Sequence, residues 1–361
     1  MLDRLAAQTL EPMPNEVHAL PGVSYVIPVL NEVAYIETAV RTVLEQDYSG
    51  PTELILALGP STDGTTELVQ QLAAEDDRII VVFNPATDIP VGLNVAIRSS
   101  RHPVIVRVDA HSELDPTYTR RAVETLTRTG AANVGGVMLA RGKTPFQSAV
   151  ARAYNSRFGL GGGSYHGGAE EGPAESAYLG VLRRDVLDEV NLFDESVRRG
   201  EDWELNLRIR NAGHSVWFDP SLEVTYWPRE SWLKLVRQFA ATGIWRGELV
   251  RRYPGRHPWR FFAPPLLVAN VALTTLVVVL QVTGVLRGWP SVVLSLIYLG
   301  PAAYAVLLLL LCFSRAGGPG WSDRWRFFLV LPTMHLSWGV GFIVGVVRGA
   351  RDTVDTSRTG I

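Results

Sequence analysis

The stretch SYVIPVLNE at residues 24–32 is a short run of mostly apolar, partly β-branched residues that ends at two polar ones. Such a run predicts a buried strand. A helical pattern follows at once, because apolar residues recur three and four positions apart between Ile36 and Leu44. Strand-like runs return at residues 53–58, 79–83 and 104–108, with helical patterns between them. This alternation predicts an α/β fold with a mostly parallel sheet covered by helices.

Polar residues follow these strands where each one ends. Asn31 and Glu32 follow the first strand. Ser61 and Asp63 follow the second, and Asp109 ends the fourth. Ligands of parallel sheets bind beyond the carboxyl ends of the strands. The sequence therefore predicts a binding site at this edge of the sheet.

Three long apolar stretches dominate the last third of the chain. Residues 261–286 and 288–314 contain no charged side chain, and residues 327–347 contain one ionisable group, His335. About 20 apolar residues suffice to cross the hydrocarbon core of a bilayer as a helix. We therefore predict three transmembrane segments after a soluble half.

The arginines predict the orientation of these segments. Five arginines lie between residues 246 and 260, only Arg287 separates the first two segments, and three lie between the second and third. An excess of positive charge marks cytoplasmic loops, which predicts a multi-pass protein of the cytoplasmic membrane with its soluble half in the cytoplasm. Three crossings would place the arginines of the tail, Arg348, Arg351 and Arg358, outside. Either the charge rule is weak there, or one segment is re-entrant.

Composition argues against two other classes of protein. A formal net charge of -2 gives no general attraction to nucleic acid. The single cysteine, Cys312, excludes an internal disulfide and a zinc site built from cysteines.

Several motifs, in family order, resemble the family 2 glycosyltransferases. Within that family the chain is most similar to the ExoA-type enzymes of succinoglycan biosynthesis, and the resemblance covers residues 23–250. It implies the GT-A fold, a Rossmann-like mixed and mostly parallel sheet, and inverting transfer of a sugar from a nucleotide donor. The motifs include IPVLNE (27–32), STDGT (61–65), VGLNVAI (91–97), VRVDAHSE (106–113), EDWELNLRI (201–209) and RQFAATGIWR (237–246).

The resemblance implies that Asp202 is the catalytic base. It would take the proton from the acceptor hydroxyl, which then attacks the anomeric carbon from the face opposite the diphosphate and inverts its configuration. Asp202 also precedes a helical pattern, so that a helix cap is the alternative interpretation. Glu201 is expected to support Asp202 in the acceptor region.

Asp109 and His111 form the predicted metal site. On extended backbone, ligands two residues apart point the same way, and together with a diphosphate they could hold a divalent cation. The resemblance implies this role for Asp109, while His111 stands where the second acid of the family's Asp-x-Asp motif often stands. An imidazole ligand keeps both Mg²⁺ and Mn²⁺ open. The alternative is a polar strand end that caps the next helix.

The resemblance also implies a set of donor-binding residues and a set of acceptor residues. UDP is the favoured leaving group, although Leu58-Gly59-Pro60 replaces acids that most relatives carry there. Asp63 has helix capping as its alternative role, and Gln238, Trp245 and Arg246 could instead belong to an interfacial helix that meets anionic headgroups. The donor set is Pro28, Asn31, Glu32, Ser61, Asp63, Asn94 and Asp109; the acceptor and diphosphate set is Glu201, Gln238, Trp245, Arg246 and Tyr178.

The expected acceptor is a lipid-linked saccharide or glycolipid in the synthesis of polysaccharide or cell-envelope glycans, and membrane lipids are expected partners. Three alternatives stay open: a polyprenyl-phosphate glycosyl synthase of the dolichyl-phosphate-mannose type, a processive polysaccharide synthase, and a non-catalytic scaffold. A glycine-rich loop with His166 is either a lid over the acceptor or a linker. The predicted domains are an extension (1–22), a GT-A domain (23–228), an amphipathic juxtamembrane region (229–260), the apolar segments (261–347) and a tail (348–361).

Overall fold

The computed structural model describes residues 19–160 and 170–350 together with Thr353. The loop with His166 lies outside these residues.

The first half of the chain forms the predicted alternation of strands and helices. The strands are β1 (Val23–Val29), β2 (Thr52–Leu58), β3 (Ile79–Phe83) and β4 (Val104–Arg107), and the helices between them are α1 (Ile36–Leu44), α2 (Thr65–Glu75) and α3 (Ile89–Ser99). The four strands are parallel and lie in the order β3-β2-β1-β4. Their carboxyl ends therefore meet at one edge, as the sequence predicts.

The second half of the sheet is mixed. Its strands are β5 (Ser112–Leu114), β6 (Asn133–Ala140), β7 (Gly172–Pro173), β8 (Tyr178–Arg183) and β9 (Val216–Tyr226). The order continues β4-β8-β6-β9-β5, with β8 antiparallel to both of its neighbours and β6 parallel to β9. The helices of this half are α4 (Tyr118–Thr129), α5 (Pro145–Tyr154), α6 (Arg184–Glu189) and α7 (Glu201–Asn211).

Two apolar clusters cover the two faces of the sheet. On β1, Tyr25 and Ile27 belong to one cluster and Val26 belongs to the other, since successive side chains of a strand point to opposite faces. All three are buried. Burial on both faces explains why β1, β2 and β4 read as continuous apolar runs, whereas the edge strand β3 is partly exposed.

The last third of the chain is helical. Its helices are α8 (Trp232–Arg252), α9 (Ala263–Val282), α10 (Gly288–Leu294), α11 (Leu299–Phe313) and α12 (Trp321–Arg348), and a 3₁₀ turn at Ser295–Tyr298 joins α10 to α11. Within the described residues, three helical stretches are long and apolar enough to cross a membrane: Trp259–Val282, Gly288–Phe313 and Trp321–Arg348. The third begins six residues before the predicted position 327, because the charged residues ahead of Phe327 also lie in the helix.

Candidate active site

Arg107, the last residue of β4, lies among three carboxylates. Its Nη2 atom is 3.3 Å from an oxygen of Asp109 and 2.8 Å from an oxygen of Glu201, and its Nη1 atom contacts Asp202. Burial alone lowers the pKa of this guanidinium, but the charges of Asp202, Glu201 and Asp109 outweigh it and raise the pKa. Arg107 therefore stays cationic and brings Asp109 and Asp202 together in one cleft.

Asp202 is the second residue of α7. Gly200, directly before the helix, has a φ of 80°, a left-handed conformation that glycine adopts without strain. The start of a helix carries partial positive charge, which stabilises the carboxylates of Glu201 and Asp202 there. Glu204 is buried, pairs with Arg208 at 2.7 Å and accepts from Tyr253 Oη at 2.9 Å, so it has structural partners of its own.

The environment of Asp202 changes its acidity. Its side chain is 27% exposed, and the atoms that contact Arg107 are on the cleft side. Burial raises the pKa of Asp202 to about 7, with Arg107 opposing the rise and Glu201 and Asp109 adding to it. A carboxylate with a pKa near neutrality suits a general base.

The backbone turns directly after Asp109. The amide of Ser112 donates to the carbonyl of Asp109 at 2.9 Å, so that residues 109–112 form a turn between β4 and β5. The expectation that Asp109 and His111 share one side of an extended strand is therefore wrong. The carboxylate of Asp109 lines the cleft, whereas the buried imidazole of His111 lies 3.3 Å from Glu32 and packs edge-on against Tyr226.

Few side chains near Asp109 could bind a cation directly. In residues 19–160, 170–350 and 353, no group of three or more His, Cys, Asp or Glu side chains is arranged to hold a metal. Magnesium sites of nucleotide enzymes often use one or two carboxylates and complete their shell with phosphate oxygens and water. Asp109 fits such a site, while the metal role of His111 stays a prediction.

Asn31 joins the carboxyl ends of β1 and β2. Its Oδ1 atom accepts from the amide of Thr62 at 2.8 Å, and its own amide donates to Ser61 Oγ at 3.0 Å. Asn31 has a φ of 54°, and it lines the cleft together with Pro28. These hydrogen bonds hold together the two strand ends at the edge of the sheet that lines the cleft.

Three other predicted donor residues have structural partners. Asp63 accepts from the amide and the hydroxyl of Thr65, the first residue of α2, which is the helix-capping role considered above. Burial raises the pKa of Asp63, but its hydrogen bonds have the larger effect and leave the pKa below its usual value. The amide of Glu32 donates to Thr65 Oγ1 at 2.9 Å. Asn94 is buried and bonds to the backbone of Phe193 with both amide atoms, which favours a supporting role.

The predicted acceptor residues lie in the same cleft as Asp109 and Asp202, and the volume of this cleft is about 420 Å³. Gln238 donates to Tyr226 Oη at 3.1 Å and accepts from Tyr154 Oη at 3.2 Å. Trp245 is buried, and the guanidinium of Arg246 lies 5.2 Å from the ring centre of Trp203. All members of the predicted set line this cleft: Tyr178, Glu201, Gln238, Trp245 and Arg246.

A second cavity of about 420 Å³ adjoins the cleft. Phe239, Arg246 and Trp338 line both spaces, so that the two are neighbours. Most of its walls come from the helical third of the chain, with Leu267 of α9 and Leu307 of α11 among them, and residues 157–160 after α5 complete the lining. The polar cleft thus has an apolar annex on the side of the candidate spans.

Arg107 is not among the site residues predicted from the sequence. A signal was present, since an arginine inside the apolar run VIVRV is rarely buried unless charged partners surround it. Two of those partners, Glu201 and Asp202, come from α7, nearly 100 residues later in the chain, which is why the run by itself could not name them.

Comparison with known proteins agrees with this geometry. Residues 24–190 match the family model "Glycosyl transferase family 2". These residues carry a family 2 glycosyltransferase domain. The chain is 29% identical to the succinoglycan biosynthesis protein ExoA of Rhizobium meliloti (strain 1021) over 319 residues, which cover 88% of this chain and 92% of that protein.

Two further proteins are similar over most of this chain. A dolichyl N-acetyl-alpha-D-glucosaminyl phosphate 3-beta-D-2,3-diacetamido-2,3-dideoxy-beta-D-glucuronosyltransferase of Methanococcus voltae is 23% identical over 73% of this chain and 85% of its own length. Among solved structures, the mannosyltransferase PcManGT of Pyrobaculum calidifontis, in complex with GDP-Man and Mn²⁺, has a TM-score of 0.60 at 18% identity. It covers 91% of this chain and 88% of its own. The GT-A fold is thereby confirmed.

Proposed function

We propose that this family 2 glycosyltransferase is an inverting enzyme. It moves a sugar from a nucleotide donor, UDP-sugar by preference, to a lipid-linked saccharide or glycolipid at the cytoplasmic face of the membrane. The observation that carries the proposal is the meeting of Asp109 and Asp202 around Arg107 in one cleft. One carboxylate is then available for the donor side and the other for the acceptor.

Asp202 acts as the base in this proposal. Its raised pKa gives it affinity for the proton of the acceptor hydroxyl, and its partial exposure lets the hydroxyl reach it. Arg107 fixes the orientation of the carboxylate, because a guanidinium fork holds carboxylates in defined geometry. A single displacement by the activated hydroxyl inverts the anomeric carbon.

Asp109 is the residue that would hold a divalent cation, with His111 as a further predicted ligand. When bound, such a cation neutralises the charge on the leaving diphosphate. The chain's own cations supply positive potential in the same place, since Arg198 and Arg246 also line the cleft. Mn²⁺ in the similar mannosyltransferase supports a divalent cation here.

The apolar annex supports a lipid-linked acceptor. Apolar walls from α9 and α11 adjoin the cleft at Arg246 and Trp338. A saccharide in the cleft could thus carry its diphosphate near Arg246 and its hydrocarbon chain in the annex. The similar archaeal transferase is named for a dolichyl-phosphate-linked sugar as its acceptor, which favours this class over a bare lipid phosphate.

Replacing Asp202 by Asn tests the proposal. Solubilised protein is incubated with a panel of nucleotide sugars, a lipid-linked saccharide and Mn²⁺ or Mg²⁺, and the released nucleoside diphosphate is measured. We expect Asp202→Asn to lose transfer by about 100-fold or more while it still binds the nucleotide, because a positioned base contributes at least that factor. Glu37→Gln, on the exposed face of α1, is the control and retains activity. Unchanged turnover in Asp202→Asn overturns the mechanism.

A further inference from the structure

We propose that α12 lies in the plane of the membrane, on the side of the catalytic domain, with an apolar stripe against the lipid acyl chains. The chain then crosses the bilayer twice, through α9 and through α10 and α11, and its tail returns to the side of the catalytic domain. This inference does not depend on which sugar or acceptor the enzyme uses. It rests on where α8, α12 and the start of α9 are held.

Helix α8 lies along the surface of the catalytic domain. At its start, the ring of Trp232 packs on Phe146 of α5 with 5.0 Å between ring centres. At its end, Arg252 Nη1 donates to Ser196 Oγ at 2.8 Å. Both ends are therefore fixed to one domain, and the whole helix stays on one side of the membrane.

Helix α12 runs beside α8 in the same direction. A Cβ atom on Gly341 would lie 2.2 Å from the carbonyl oxygen of Ala240, and one on Gly345 would lie 2.0 Å from that of Ile244. Only glycine permits such close backbone contact, as in small-residue helix interfaces. The two contacts advance four residues on each helix, so that α12 follows α8 along the catalytic domain.

Both ends of α12 also meet the catalytic domain and its cleft. Near the start, Asp323 pairs with Arg152 of α5 at 3.4 Å, and Phe327 is fully buried. Beyond the end, the carbonyl of Thr353 accepts from Trp245 Nε1 at 3.3 Å, where both residues line the cleft. A crossing helix has its ends about 30 Å apart on opposite sides of the hydrocarbon core, and such ends could not both touch one domain.

Helix α9 starts against the middle of α12. A Cβ atom on Gly339 would lie 2.5 Å from the carbonyl oxygen of Pro264, and Phe261 packs near Trp338. The middle of α12 is therefore at the depth where α9 leaves the catalytic domain, which is the membrane surface. The burial of α12 agrees with this position at the membrane surface. In its most apolar 18 residues, 39% are buried, against 11% and 17% in the corresponding parts of the other two candidate spans.

The outer side of α12 fits a lipid surface. Large apolar side chains are exposed along its full length, and they continue the exposed apolar surface of α9 and α11. Helices that lie in the interface bury such a face at the acyl boundary, while their cations meet anionic headgroups. Two crossings also place the arginines of the tail on the cytoplasmic side, where the positive-inside rule expects them, and three crossings do not. The exposed residues are Trp321, Trp325, Leu329, Leu336, Val340, Ile343, Val346 and Val347.

Labelling of single cysteines in the full-length protein tests the topology. On a Cys312→Ser background, Ser357→Cys reports on the tail, Glu37→Cys on the catalytic domain and Val285→Cys on the turn between α9 and α10. We expect a membrane-impermeant maleimide to label the tail from the same side as Glu37→Cys and from the side opposite to Val285→Cys. Labelling of the tail together with Val285→Cys would overturn the proposal.

Depth measurements test the in-plane orientation separately. Spin labels at Trp325→Cys, Leu336→Cys and Val347→Cys, in protein reconstituted into anionic lipid vesicles, are compared with Leu273→Cys in the middle of α9. We expect the three labels on α12 to have one similar, shallow depth and the α9 label to lie deeper. A deep label at Leu336→Cys between two shallow ends would show a crossing helix and refute the proposal.

Discussion

At the residue scale, the site depends on how one buried cation arranges three acids. Arg107 contacts Asp109, Glu201 and Asp202, and its own side chain is only 5% exposed. Removing one partner from a buried charge group is costly, because the remaining charge is left without compensation. In the proposed mechanism, the same contacts also hold Asp202 in place for the acceptor hydroxyl.

The raised pKa of Asp202 predicts a pH dependence. A base must be deprotonated to accept a proton, and burial sets the pKa of Asp202 at about 7. We therefore expect kcat/KM to rise with pH through this region and to fall about tenfold for each unit below it, as the ionised fraction does. The rate of nucleoside diphosphate release between pH 5.5 and 8.5 measures this profile.

A control separates this titration from other effects of pH. The residual activity of Asp202→Asn should lack the acid limb, because its amide does not titrate. A wild-type profile that is flat across this range, or an unchanged acid limb in Asp202→Asn, would assign the titration to a different group.

At the element scale, the turn before α7 positions Asp202, the proposed base. Gly200 has a φ of 80°, and a Cβ atom there would lie 3.0 Å from Leu249 Cδ1 of α8. The position of Asp202 therefore depends on a backbone conformation that L residues rarely adopt and on the contact between α7 and α8. Gly213, after the same helix, has a similar φ of 92° with no atom within 4 Å of such a Cβ.

These two glycines give a matched pair of variants. Gly200→Ala and Gly213→Ala should each cost about 1 kcal/mol of stability, because each forces a left-handed alanine. Only Gly200→Ala should also reduce kcat strongly, since it shifts the start of α7 against α8, and small displacements of a catalytic group are costly. Thermal unfolding and transfer assays on both variants check this; equal activity in the two would show that the turn does not position Asp202.

Sequence patterns predicted the parallel elements better than the rest. The strands β1 to β4 carry continuous apolar runs and follow one another, so that composition reveals them. The strands β5 and β7 are three and two residues long, too short to leave a pattern. The turn after Asp109 leads into β5 and could not be predicted either. The pairing of β5 with β9 depends on residues far along the chain.

At the scale of the whole molecule, the cleft of the catalytic domain adjoins the apolar annex between the candidate membrane helices. Trp338 of α12 and Arg246 of α8 line both the cleft and the apolar annex. The sequence predicted a catalytic domain followed by apolar helices, but it could not show that α12 packs back onto the catalytic domain. That contact depends on glycines of two helices about 100 residues apart, whose pairing no local pattern encodes.

The annex predicts how the enzyme treats acceptors of different chain length. Leu267→Trp fills part of the annex, so we expect it to lower kcat/KM for a long-chain lipid-linked acceptor and to leave a short-chain analogue nearly unchanged. Leu266→Trp, on the exposed side of α9, is the matched control and should change neither. Competition assays with both acceptors measure the preference. An equal loss for both acceptors in Leu267→Trp would mean that the annex does not hold the hydrocarbon chain.

The anomeric configuration of the product directly tests whether the sugar is transferred by a single displacement. A single displacement, assisted by Asp202 in the cleft that Asp109 shares, must invert the anomeric carbon. Proton NMR coupling constants of the product, compared with those of the donor sugar, report this configuration. We expect the configuration opposite to that of the donor; a product with the donor's configuration would contradict a single displacement.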